Sequence, residues 1–174
     1  DTRQARMRSE NAWHPGCPVA LDALRVLSLR YWGFDGAVHT GELVVHERYT
    51  AALTQVFAQL FQARFPFASM EPIEQFHSDD ELSVEANNSS GFNCREVANR
   101  PGVWSEHAYG RALDLNPVQN PYVSQGVVSP PSAVGFLRRD PAVPGLITAE
   151  GPVVRAFASI GWSWGGTWRT KQDY

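Results

Sequence analysis

Apolar and polar positions alternate from Leu24 to Tyr31, with Leu27, Leu29 and Tyr31 on one face and Arg25, Ser28 and Arg30 among the remainder. A period of two is the signature of a half-buried strand. Residues 33–36 carry two glycines and read as a turn, after which residues 41–46 read as a second short strand. From Tyr49 to Phe65 the period changes. Leu53, Val56, Phe57, Leu60, Phe61 and Phe65 recur at helical spacing, and Pro66 stops the run. That stripe is core packing rather than a cofactor site. Further along, residues 70–76 predict a strand, 79–93 a polar loop, and 116–144 a long Pro- and Gly-rich surface connection. Residues 151–160 predict a second helix with Val153, Val154, Phe157 and Ile160 inward. The order predicts an α+β domain, a small antiparallel sheet packed with helices, without internal repeats.

The 174 residues suffice for one domain with a real core and are too few for two comfortable ones. Residues 1–16 are expected to be an N-terminal extension or linker and 17–174 the domain itself. Fifteen Lys and Arg against 18 Asp and Glu give a net charge of −3, which leaves no basic stripe for nucleic acid. No apolar run approaches the roughly 20 residues that span a bilayer. A monomer is expected.

Candidate chemistry concentrates in residues 104–117, where His107 and Asp114 stand seven residues apart around Gly110. Residues 112–115 read as a short strand. Asp114 then shares a face with small Ala112, leaving room for an ion, while Leu113 and Leu115 point into a core. Gly110 permits the reversal that returns His107 over that face, and an imidazole nitrogen with a carboxylate oxygen suits zinc. On spacing alone, a surface histidine and a capping aspartate before an Asn-Pro turn is the commoner reading of such a pair.

The pattern Ser-x-His-x-x-Gly-x-Ala-x-Asp, met by Ser105, His107, Gly110, Ala112 and Asp114, resembles the bacterial zinc peptidases that trim peptidoglycan stem peptides. These are the D-alanyl-D-alanine carboxypeptidases and dipeptidases and the L-alanyl-D-glutamate endopeptidases. The Asn-rich segment 87–95, ending at Arg95, and the Trp-Gly-Gly segment 161–168 are similar to the same family and occur in the same order. The resemblance implies a zinc site at the sheet face with His107 and Asp114 as ligands, Asp173 as general base and Arg95 facing the substrate. It also implies a third ligand, a histidine three residues after the base. Asp173 is followed here only by Tyr174, so that ligand is expected beyond the given sequence. His14, His39, His46 and His77 stand in no equivalent context.

Zn2+ is therefore the expected cofactor, peptidoglycan stem peptides the expected partner, and the cell envelope or exterior the expected location. Ser105 and Trp164 are candidate substrate contacts, although Ser105 equally suits a turn cap and Trp164, like Trp168, the core. In an exported protein Cys17 and Cys94 invite a disulfide, with two buried thiols as the alternative. A cysteine peptidase through Cys94 or a serine hydrolase through Ser105 lacks the flanking motif either would need. A non-catalytic wall-binding module on the same fold is the stronger rival.

Overall fold

The computed structural model describes residues 2–98 and 100–174. Helix α1 (Thr2–Ser9) precedes a long antiparallel hairpin, β1 (Leu24–Gly33) and β2 (Val38–His46), in register from Leu24 opposite His46 to Trp32 opposite Val38. The predicted alternation is observed: Leu29 and Tyr31 are buried while Ser28 and Arg30 are exposed. Strand β2 starts three residues earlier than its apolar pattern suggests, because exposed Val38, His39 and Thr40 still pair with β1. Against this hairpin packs α2 (Thr50–Gln62), whose Leu53, Val56, Phe57 and Leu60 join Leu29, Tyr31, Leu43 and Val45 in the main core. The helix stops at Gln62 rather than Phe65, since Arg64 turns left-handed at φ 53° and the Phe65 amide donates back to Leu60. Phe65 nevertheless stays buried.

Beyond Pro66 the structure departs from the sequence expectations in three places. Residues 70–76 are not a strand. Only β4 (Ser69–Met70) pairs, after β3 (Pro66–Phe67) has joined β1 in parallel, and a 3₁₀ turn from Ile73 to Phe76 follows Pro72. Residues 79–93 are not all loop: Asp79 caps α3 (Asp80–Glu85) by accepting from the Leu82 amide, and β5 (Asn88–Ser89) pairs with β4. The connection 116–144 contains the hairpin β6 (Tyr122–Ser124) and β7 (Val127–Ser129), closed by Gln125 and Gly126 at φ 51° and 81°. Two consecutive residues with positive φ make the turn that suits the twist of a two-residue hairpin. Helix α4 (Pro152–Ala158) matches expectation, and the last strand, β8 (Lys171–Asp173), pairs with β6.

The N-terminal segment packs against the rest of the fold. Met7 of α1 is 2% exposed within a second core cluster that includes Val19, Leu21, Val44 and Phe92. Arg3 pairs with Glu42 and with buried Glu74. Cys17 and Cys94 are disulfide-bonded with Cα atoms 5.8 Å apart, tying the N-terminal segment to the chain just before Arg95. Closing a loop of 77 residues constrains the unfolded chain by about 4 kcal/mol in the chain-entropy picture. The double variant Cys17→Ser with Cys94→Ser is therefore expected to unfold at lower denaturant, by up to that amount, in equilibrium urea titrations. An unchanged midpoint would show that the bridge does not constrain folding.

Candidate active site

Residues 105–110 fold into one 3₁₀ turn that presents His107. Ser105 starts it, its hydroxyl accepting from the His107 amide at 3.3 Å, and Gly110 ends it in the left-handed region. A side chain at Gly110 would stand 2.6 Å from the His46 amide, which itself donates to the Gly110 carbonyl at 3.0 Å. Glycine is thus required both by its φ and by the close approach of β2. The buried His107 ring donates from Nδ1 to the Gly91 carbonyl at 2.7 Å. A carbonyl can only accept, so Nδ1 carries the proton and Nε2 is left to face Asp114.

The strand expected at residues 112–115 shrinks to a single antiparallel bridge between Ser90 and Asp114, with both backbone hydrogen bonds at 3.0 Å. One bridge is enough to fix Asp114. Leu115 falls into the core and Leu113 packs against it, as the alternation requires. His107 Nε2 and Asp114 Oδ2 stand 3.4 Å apart. A charge-assisted hydrogen bond is shorter, roughly 2.7–2.9 Å. Two ligands of a tetrahedral zinc ion, each about 2.0–2.2 Å from the metal, stand about 3.4 Å from one another. The pair is therefore spaced as ligands of such an ion, and the Nδ1 hydrogen bond to Gly91 is the outer-shell support that a metal-bound imidazole uses.

Electrostatics points the same way. Burial pulls the His107 pKa down, but the Asp114 carboxylate outweighs it and lifts the ring to about 9. Burial pushes Asp114 up, yet His107 and Arg95 hold it below the usual carboxylate range. Asp173 behaves oppositely: burial first, and the Asp114 charge second, push it up to about 6. Two carboxylates and an imidazole thus feel one another strongly.

Asp173 is brought to the site by the Trp-Gly-Gly segment, and both glycines have steric reasons. A side chain at Gly165 would lie 2.5 Å from Asp173 Cβ, and one at Gly166 would lie 2.3 Å from the Trp164 ring. Trp164 packs against the main core and its indole donates to the Tyr174 carbonyl at 2.7 Å, so it anchors the end of β8. Trp168 is 41% exposed and belongs to the surface.

Arg95 lies on a short extended arm, with the Ser105 amide donating to its carbonyl at 3.1 Å, and its charge acts on His107, Asp114 and Asp173 alike. Its Nη2 pairs with Asp80 at 3.0 Å, and Asn93 Nδ2 donates to the other Asp80 oxygen, also at 3.0 Å. Its buried Nε has no acceptor among the described residues. Asp80 is a site-shell residue that the sequence did not point to. The Asp79-Asp80 pair opening a helix was the available signal, hidden because the segment reads as loop.

The remaining histidines are accounted for elsewhere. His39 pairs with Asp35, His77 with Glu10, and His46 accepts from the Arg48 amide. Among the described residues, the only three potential ligands all within 4.8 Å of one another are His14, Cys17 and Cys94, and the disulfide occupies both sulfurs. Among the described residues, His107, Asp114 and Asp173 do not form such a group. Arg139 donates to the Gln119 and Ile147 carbonyls at 2.5 and 2.6 Å and lies over the Tyr174 ring.

Residues 98–174 match the model of a family described as D-alanyl-D-alanine carboxypeptidase. The resemblance read from the Ser105-to-Asp114 and Trp-Gly-Gly segments is borne out over that stretch, and the match supports a peptidase. No curated protein and no solved structure matches the chain.

Proposed function

We propose that the protein is a zinc-dependent peptidase of peptidoglycan stem peptides that works in the cell envelope or outside the cell. The observation that carries this reading is the 3.4 Å separation of His107 Nε2 and Asp114 Oδ2, a pair whose charges act on Asp173 and which feels the charge of Arg95. His107 and Asp114 supply two ligands, and the family pattern includes a third, an imidazole. A bound zinc ion brings the pKa of water towards neutrality and polarises a carbonyl.

Asp173 takes the proton from the attacking water and returns it to the leaving nitrogen. Its elevated pKa fits a group that must both accept and release a proton near neutrality. Arg95, anchored through Nη2 by Asp80, supplies a permanent positive charge to an oxygen that gains negative charge as the tetrahedral state forms. Ser105 acts through the turn it caps and Trp164 through the strand it anchors, so both are positioning residues. The disulfide fits an oxidising location.

Purified muropeptides incubated with the full-length gene product and zinc are expected to release free D-alanine, or a fragment cut between L-alanine and D-glutamate. Chelator should stop the release. Arg95→Ala is expected to lower kcat by more than it raises KM, because a developing oxyanion gains more from a guanidinium than a neutral carbonyl does. Mass spectrometry of the products separates the two cleavage modes. Muropeptides that bind but stay intact would favour a wall-binding module instead.

A further inference from the structure

Lys171 and Asp173 stand two residues apart on β8 and so share one face, with Tyr122 directly opposite Asp173 and Ser124 opposite Lys171. The Lys171 ammonium lies 5.5 Å from the centre of the Tyr122 ring and 5.0 Å from that of Trp168, two rings 37% and 41% exposed. Among the described residues it has no carboxylate at ion-pair distance, although its charge is felt at Asp173. A cation held by aromatic faces beside a reacting centre, with its own counter-ion missing, is a site for an anionic group of the substrate.

We propose that Lys171 binds the free α-carboxylate of the residue whose amine leaves, with Tyr122 and Trp168 holding the ammonium in place. The proposal rests on the peptidase reading and on Asp173 as the proton carrier. In the hydrolysis the peptide C–N bond breaks, water gives its oxygen to the carbonyl carbon, and its proton passes through Asp173 to the departing nitrogen. That nitrogen and the α-carboxylate of the same residue are separated by one α-carbon, roughly 2.5 Å from N to C. Same-face neighbours on a strand are about 6.6 Å apart, which leaves the flexible lysine room to meet the carboxylate while Asp173 reaches the nitrogen. Both cleavage modes offer such a group. A terminal D-alanine has its α-carboxylate there, and so does a D-glutamate joined onward through its side chain. The subsite thus selects for a carboxylate next to the cut rather than for a chain end.

The test compares two synthetic stem peptides identical except at that position, one with a free α-carboxylate on the leaving residue and one with the carboxamide. With the zinc-loaded, full-length gene product the acid is expected to be preferred by roughly 10- to 100-fold in kcat/KM, the scale of one charge-assisted contact. In Lys171→Met the preference should fall to near one, while zinc content and unfolding midpoint stay as in the wild type. Binding of both peptides to zinc-loaded Asp173→Ala protein, by calorimetry, reads the same preference without turnover. A Lys171→Met protein that keeps the acid preference overturns the assignment and leaves the peptidase standing, as does a wild type indifferent to the amide. Peptides that bind with acid preference but are never cut remove the peptidase and leave the subsite. Peptides that neither bind nor react remove both.

Discussion

Asp173→Ala is expected to keep zinc bound while losing roughly 10²-fold or more in turnover, the usual scale for a positioned acid-base group. The carboxylate is partly buried and raised to about 6 by burial and by Asp114, so near neutrality it stands close to the balance point between its two protonation states. Alanine removes the proton carrier without removing His107 or Asp114, and β8 should survive, because its pairing with Tyr122 runs through the backbone. The isosteric Asp173→Asn separates charge from shape: it keeps the packing against Gly165 and should be as slow as alanine. Turnover of metal-loaded variants on muropeptides, with zinc measured in the same samples, decides the matter. Wild-type-like rates in either variant would show that the proton travels by another route.

The hairpin and α2 were legible because their apolar positions repeat with unmistakable periods. Leu29 and Tyr31 at period two, and Leu53 through Leu60 at period 3.6, each have one buried face and one wet one. Helix α3 was not legible, because six residues containing Asp80, Glu81 and Glu85 carry no apolar stripe and form on a cap and on tertiary contacts. The hairpin of β6 and β7 was hidden for a related reason: three-residue strands are too short to show alternation, and Gln125-Gly126 is a weaker turn signal than Asn-Gly. At the site, residue types and spacing pointed to His107 and Asp114, but what steadies them is backbone. The Gly91 carbonyl behind the ring and the Ser90 bridge beside Asp114 leave no trace in side-chain identity. The Asp80 anchor of Arg95 crosses 15 residues and two elements, which local pattern cannot reach.

His107→Ala is expected to abolish specific zinc uptake, a loss larger than the 10- to 100-fold typical of removing an outer-shell partner, because a ligand itself is gone. Asp114→Asn should weaken uptake as well, since the amide keeps the shape but loses the charge that attracts the ion. Folding should persist in both, with His107→Ala less stable by about 1–3 kcal/mol, the cost of leaving the Gly91 carbonyl without its donor. The proton balance supplies a second readout. Without metal the ring titrates at about 9, so near neutrality His107 is protonated, and zinc must displace that proton to reach Nε2. Apparent zinc affinity in the wild type should therefore rise roughly tenfold per pH unit between about 6.5 and 8.5, with one proton released per ion from this ring. Equilibrium dialysis of the full-length gene product against buffered zinc at several pH values measures both quantities. Undiminished uptake by His107→Ala would place the metal elsewhere, and a pH-independent affinity in the wild type would mean that Nε2 is not the atom that binds it.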